Sequence, residues 1–262
     1  MKNYLNMTKN RKNSKRLQYK AFILLLLIVC AVTLPAQTTS PKYLILMDIA
    51  HNQVFWNDPA SMEGMAENQV ERVKYMTNQI MKNASSLNAE LGYLKEKIKP
   101  DDLVNCDLLF IHVPSSKYSQ GEIKTIIQYL QDGGSLFLVM DGDYWTNLKK
   151  TNVNDIIKPF DIQYGSQSPD TLSGGYTKAG IITGESLKIS YHGGRIIKGG
   201  IPFCFNTQTE EYPFGTCQEL KNGGKMVVMG DGMVSLYMTS WAGVNDYRCS
   251  EFMHDVFKWL LE

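Results

Sequence analysis

The sequence predicts an α/β fold built on a mostly parallel sheet, and three observations predict it. Near-continuous apolar runs recur at Lys42–Asp48, Asp107–Val113, Ser135–Met140 and Lys225–Met229, as expected of strands covered on both faces. Stretches with apolar residues at helical spacing separate the first three runs. Short polar or glycine-bearing turns join these segments, which is the pattern of successive βαβ units.

Taken in order, the first strand is KYLILMD, Lys42 to Asp48. A helix follows over Glu67–Ser85, with Val70, Val73, Ile80, Met81 and Ala84 on one stripe. Leu91–Ile98 reads as a second, shorter strand, and DLLFIHV at Asp107–Val113 as the next buried one. Ser119 and Glu122 form a capping box, behind which Ile123, Ile126, Ile127 and Leu130 fall on one helix face. Gly133 and Gly134 end that helix, and SLFLVM, Ser135–Met140, is a strand broken by Asp141-Gly142-Asp143. Residues Thr151–Gly223 are less regular: one helix at Val153–Lys158, then short strands with glycine pairs at 174–175, 193–194 and 199–200 as turns. KMVVM, Lys225–Met229, returns as a strand ending in Gly230-Asp231-Gly232. The last helix runs from about Arg248 to Leu261, with Phe252, Val256, Phe257 and Leu260 inward and Trp259 at the edge. There are no internal repeats and no linker, so residues 37–262 read as one domain.

The 262 residues are 44% apolar and 20% charged, which excludes a disordered or collagen-like chain. The net charge of +1 conceals an asymmetry. Lys2, Lys9, Arg11, Lys12, Lys15, Arg16 and Lys20 precede an uncharged run, Ala21–Ala36, too short for a membrane span and closed by Pro35-Ala36. That is the pattern of a secretory signal peptide over residues 1–36, cleaved before Gln37; an uncleaved anchor and a lipoprotein cysteine at Cys30 are the alternatives. Without those seven basic residues, twenty remain against 26 acids, a net charge of −6. Nucleic-acid binding through bulk charge is thereby excluded, and no stable membrane insertion is expected after cleavage. Export permits disulfides among Cys106, Cys204, Cys217 and Cys249, with Cys204–Cys217 the favoured pair and four buried thiols the alternative.

Ligands of open parallel sheets sit beyond the carboxyl ends of the strands, and three strands here end in acids. Asp48 is followed by His51 and Asn52, Asp141 and Asp143 follow the third long strand, and Asp231 follows the last. Asp48 and His51 are candidates for general base and proton carrier, Asp141 and Asp143 for a carboxylate pair or a metal site, and Asp231 for a further acid–base group or the holder of its own turn. Each has a structural alternative, since strand-end acids also accept loop amides. Phe55, Trp56, Tyr144, Trp145 and Trp241 cluster near the same edge, of which Trp56, Trp145 and Trp241 are candidates for stacking on sugar rings. In the irregular middle, Tyr191, His192 and Arg195 surround Gly193-Gly194, where Arg195 would grip an acidic substrate.

The first strand with its DxxH turn (Asp48–His51), Cys106–Asp141 and Gly224–Met238 resemble the class I glutamine amidotransferase-like superfamily. Within it they are similar to the branch of trehalose-utilisation-like domains and of domains in intraflagellar-transport and gliding-motility proteins. The resemblance implies a flavodoxin-like sandwich with helices on both faces. Glutaminases of that superfamily carry a cysteine nucleophile on a strand-to-helix turn. The corresponding strand end here is Val139-Met140-Asp141-Gly142-Asp143, without cysteine, so thiolate glutamine hydrolysis is disfavoured. GxSxG, GxxxxGK[ST] and GxGxxG are absent.

The function expected from these features is that of an exported protein, periplasmic or secreted, acting on polysaccharide-derived oligosaccharides. Its chemistry is elimination or dehydration, or glycoside cleavage. His51, Asp48, Asp141, Asp231, Tyr191 and His192 are the catalytic candidates. Asn52, Trp56, Asp143, Trp145, Arg195 and Trp241 are the substrate-binding ones. No cofactor or metal is assigned, although a metal-dependent hydrolase using Asp48, His51 and Asp141 is a further alternative. The principal alternative is a non-catalytic sugar-binding or envelope-complex assembly module, a role that the superfamily's members without catalysis fill.

Overall fold

The computed structural model of the chain describes residues 41–170, 173–207, 209–236 and 246–262. The expected signal peptide, Cys30 and Trp241 lie outside the described residues. In chain order the elements are β1 (Tyr43–Asp48), α1 (Glu67–Ser86), β2 (Ala89–Leu94), β3 (Leu108–His112), α2 (Gln120–Gln131), β4 (Ser135–Val139), α3 (Val153–Ile157), β5 (Gln163–Gln167), β6 (Gly175–Thr177), β7 (Lys188–Ile189), β8 (Arg195–Lys198), β9 (Ile201–Asn206), β10 (Gly215–Glu219), β11 (Lys225–Met229), α4 (Met233–Leu236) and α5 (Cys249–Leu261).

β2, β1, β3, β4 and β11 lie side by side and are parallel. From β11 the sheet continues antiparallel through β10, β9, β6 and β7, and β5 and β8 pair separately. The sheet is therefore mixed: the expected parallel arrangement describes the half that carries the strand-end acids. The antiparallel half is built from the irregular middle, whose strands are too short for periodicity to reveal their pairing.

Alternation along each parallel strand feeds two cores. Ile45, Met47, Leu108, Phe110, Phe137, Val139, Val227 and Met229 pack with α1 and α5 on one face. Leu46, Leu109, Ile111, Leu136, Leu138, Met226 and Val228 pack with α2 and α3 on the other. Both faces are covered, which is why these strands read as unbroken apolar runs.

Several local expectations change. β2 is Ala89–Leu94, not Leu91–Ile98, because its register against β1 ends where Asp48 faces Leu94. Met81 leaves the apolar stripe of α1 and is exposed; Met76 and Thr77 complete that stripe instead. The capping box forms: the Ser119 hydroxyl accepts from the Glu122 amide at 3.3 Å, and Glu122 Oε2 accepts from the Ser119 amide at 2.8 Å, worth about 1 kcal/mol. No Cys204–Cys217 bridge exists, and the four described cysteines are free and buried. Cys204 faces Gly215 across the β9–β10 ladder while Cys217 faces Ile201, so the register keeps the two thiols off a common pair.

Candidate functional site

Parallel strands place their carboxyl ends together, so the residues at or just after the ends of β1, β3, β4 and β11 share one edge of the sheet. The expected acids are on that edge, but they form two clusters, not one.

The first cluster surrounds Asp48, which has no solvent exposure. His51 Nδ1 lies 2.9 and 3.1 Å from its two oxygens. The Tyr118 hydroxyl donates to Asp48 Oδ2 at 2.6 Å, and the Ala50 amide donates to Oδ1 at 3.0 Å. The Tyr118 ring stacks on His51 with centroids 3.8 Å apart. His51 Nε2 faces Glu122 Oε1 at 3.3 Å, and that same oxygen accepts from the Ile98 amide at 3.0 Å. Burial pushes Glu122 up, but the amide and hydroxyl of Ser119, the Ile98 amide and His51 outweigh it and hold the carboxyl below its usual range. Burial, then the charge of Asp48, keeps the Tyr118 phenol well above its ordinary value. An open basin of about 400 Å³ lies over His51, with Lys95, Lys97 and Lys117 among its walls.

The second cluster holds Asp141 and Asp231. Each carboxylate accepts two backbone amides: Asp141 from Gly142 at 2.6 Å and Gly232 at 2.9 Å, Asp231 from His192 and Met233 at 2.8 Å each. Burial, then the charge of Asp231, holds the Asp141 carboxyl well above its usual range, and burial pushes Asp231 up to about 6. Such carboxyls retain a proton longer in the folded chain than in the unfolded one. Their contribution to stability is complete below the ordinary carboxylate range and is lost as pH rises through about 6. Buried His112, pushed down to about 3, has the opposite slope, because the unfolded chain takes up that proton first. The comparison with Asp141→Asn isolates the acid pair. Measured by urea unfolding, the stability difference is expected to move in the variant's favour by on the order of 1–2 kcal/mol between pH 5 and 7. A difference that stays constant or moves the other way would show that the carboxyls are not strained by burial.

Residues just beyond β3 run between the clusters. The Ser115 amide donates to the His51 carbonyl at 3.0 Å, and the Pro114 carbonyl accepts from the Thr146 hydroxyl at 3.0 Å. Val113 there has φ +50, a strained value for a β-branched residue, held because its N–H is bonded to Val139 and its carbonyl to Val54. The strand-end groups therefore do not share one hollow. His51 lines the 400 Å³ basin, whereas Asp231 lines a separate cavity of only about 10 Å³ with His112.

The other candidates are placed as follows. Trp56 is buried against Phe110 and His112 and donates to the Thr77 hydroxyl at 3.1 Å, so it is a core residue and not a sugar platform. Tyr191 is likewise inaccessible: it packs on Phe214 and donates to the Asp170 carbonyl at 2.9 Å, with burial pushing its phenol up to about 12. His192, lowered by burial, contributes its backbone amide to Asp231. Asn52 is exposed at φ +49, and its carbonyl accepts from the Ser115 hydroxyl. Arg195 donates Nε to the Asp141 carbonyl at 2.8 Å and Nη2 to the Thr146 carbonyl at 3.1 Å, and it pairs with Asp143. It is buried, so it grips the loop that follows β4 and not a substrate carboxylate. Trp145 rests on Phe55 at the surface. Sequence reading missed Tyr118 and the second role of Glu122. Nothing local marks Tyr118, which lies 70 positions from Asp48.

No curated protein matches the chain by sequence. The family model of the IFT52 GIFT domain matches residues 67–171, less than half of the chain. Among solved structures, the mmIFT52 N-terminal domain superposes with a TM-score of 0.55 at 18% identity, covering 83% of this chain and 96% of that one. The exo-β-1,4-mannosidase Op5Man5 from Opitutaceae bacterium strain TAV5 gives 0.50 at 11% identity, over 89% of this chain and 38% of its own. The α-L-fucosidase isoenzyme 2 from Paenibacillus thiaminolyticus gives 0.50 at 9%, over 83% and 32%.

The chain shares the α/β fold of the mmIFT52 N-terminal domain. At its β4 end the chain places Met140, Asp141 and Gly142, and no described thiol lies there: Cys106 precedes β3, Cys204 and Cys217 lie within β9 and β10, and Cys249 opens α5. Burial pushes Cys106 and Cys217 up to about 12 and Cys249 to about 11, the opposite of an activated nucleophile. Among the described residues no group of three or more His, Cys, Asp or Glu side chains is arranged to hold a metal ion. No helix among them is long and apolar enough to cross a membrane.

Proposed function

We propose that the chain is a non-catalytic assembly module, which holds a protein partner within a complex on a glutamine amidotransferase-like scaffold. The observation that carries this reading is the internal saturation of the strand-end polar groups. Asp48 is satisfied by His51, Tyr118 and Ala50, Asp141 and Asp231 by four backbone amides, and Arg195 by the loop that follows β4. Catalysis needs groups held toward a substrate, whereas these are held toward each other. The IFT52 GIFT match supports the same reading, since the resembling superfamily branch includes assembly domains. The two glycosidases share the fold over a third or so of their length at 11% and 9% identity, which lends no sugar chemistry to this chain.

A second reading, acid–base chemistry on an oligosaccharide, keeps one observation in its favour: His51 lies beneath the 400 Å³ basin, oriented by a carboxylate. One experiment separates the two. The purified chain is incubated with uronate-containing oligosaccharides, aryl glycosides and glutamine, and products are followed by ultraviolet absorbance and mass. No turnover is expected, while the chain recovered from its source cells sits in a stoichiometric protein complex. Turnover that His51→Ala abolishes would overturn the assembly reading. The export signal over residues 1–36 belongs to this proposal too. N-terminal sequencing of the chain from its source cells is expected to begin at Gln37, and a chain that begins at Met1 would remove export by cleavage.

A further inference from the structure

The loop between β4 and α3 presents two aromatic rings to solvent. Tyr144 is 86% exposed and Trp145 41%. The rings meet edge to face at 4.8 Å, and Trp145 rests edge-on against buried Phe55 at 4.7 Å. Large exposed aromatics are costly to solubility, and on a loose loop they would lose much entropy on docking.

This loop is not loose. The Gly142 carbonyl accepts from the amides of Trp145 at 3.0 Å and Thr146 at 3.3 Å. The Asp141 carboxylate holds the Gly142 amide, and the Thr146 hydroxyl is bonded to the Pro114 carbonyl. Arg195, 3% exposed, fastens both ends of the turn through the Asp141 and Thr146 carbonyls and binds Asp143 between them. A buried guanidinium is thus committed to holding a turn whose tip is an exposed Tyr–Trp pair. Such rigid aromatic display is the composition and preorganisation of an interface hot spot.

The neighbouring charges set the sign of the partner. Lys149 and Lys150 follow on the same exposed loop, their amides held by Asn147 Oδ1. Neither enters an ion pair among the described residues. The one acid of the tip, Asp143, is taken by Arg195. Two rings and two uncompensated ammonium groups therefore face solvent together. We propose that the loop over residues 142–150 is the docking tip for a protein partner that offers an apolar groove rimmed by carboxylates. This inference rests on the assembly reading and names the surface that carries it. A saccharide stacked on the rings would leave the lysine pair without a counterpart.

Two measurements test it on the full chain. In the first, a labelled Glu/Leu-rich amphipathic peptide and its Lys/Leu counterpart are titrated and followed by anisotropy. The acidic peptide is expected to bind, with a loss of at least about ten-fold in Tyr144→Ala/Trp145→Ala and in Lys149→Glu/Lys150→Glu. Circular dichroism melts check that the variants remain folded. Equal binding of the Lys/Leu peptide, no binding of the acidic one, or its displacement by oligosaccharides overturns the proposal. In the second, the complex from source cells is treated with a carbodiimide, which joins lysine to carboxylate directly. Links from Lys149 or Lys150 to acids of one partner, lost in the aromatic double variant, are expected. A complex that forms undiminished in both double variants overturns the docking loop while leaving the assembly reading standing. A chain with no protein partner overturns both.

Discussion

Replacing His51 with alanine is expected to destabilise the chain by about 3 kcal/mol, because it leaves the buried Asp48 carboxylate without the imidazole nitrogen that bonds to it. Asp48 keeps the Tyr118 hydroxyl and the Ala50 amide, which offset part of the loss. Two further contacts vanish with the ring: the stack on Tyr118 and the approach to Glu122 Oε1. The expected effect is on stability. It is read by denaturant unfolding of the variant beside the native chain. A loss below about 1 kcal/mol, the range of exposed ion pairs, would mean that the cluster is solvated and the basin reaches Asp48.

Gly194→Ala is expected to cost at least about 3 kcal/mol, and Gly230→Ala the same, through overpacking against backbone. A Cβ on Gly194 would stand 2.1 Å from the Gly230 carbonyl oxygen, and a Cβ on Gly230 would stand 2.1 Å from the Arg195 carbonyl oxygen. Neither obstacle is a side chain that can rotate away. Relief requires separating the two backbones, which breaks the bond from the Arg195 amide to the Gly230 carbonyl at 2.8 Å. That bond seats Arg195 where its guanidinium reaches the β4–α3 loop, so the substitutions also loosen Tyr144 and Trp145. Gly184→Ala, with open space around its position, is the control and should stay within about ±0.5 kcal/mol. Melting curves in which Gly194→Ala matches that control would show that the two segments do not meet so closely.

The parallel half of the fold was legible because burial on both faces leaves its mark in local composition: LILM in β1 and LLFI in β3 carry no polar residue at all. The α2 start was legible because a capping box is a contact between neighbours in sequence. The antiparallel extension was not, since β6 and β7 have three and two residues and owe their existence to partners, not to pattern. The same division runs through the candidate site. That Asp48, Asp141 and Asp231 follow parallel strands was readable, and it placed them on one edge. Which of them meet was not: Tyr118 reaches Asp48 across 70 positions, and Arg195 reaches Asp143 across 52.

By itself, then, the amino-acid sequence determined the α/β layering, the strand ends that bear acids and the missing cysteine after β4. Those follow from local hydrophobic periodicity and residue identity. Only the tertiary structure decided that the acids divide into two clusters, that Trp56 and Tyr191 are interior, and that Arg195 clamps the distant aromatic loop after β4. Whether a polar side chain faces a substrate or a neighbour depends on long-range partners that satisfy or fail to satisfy it, and no local pattern encodes that balance.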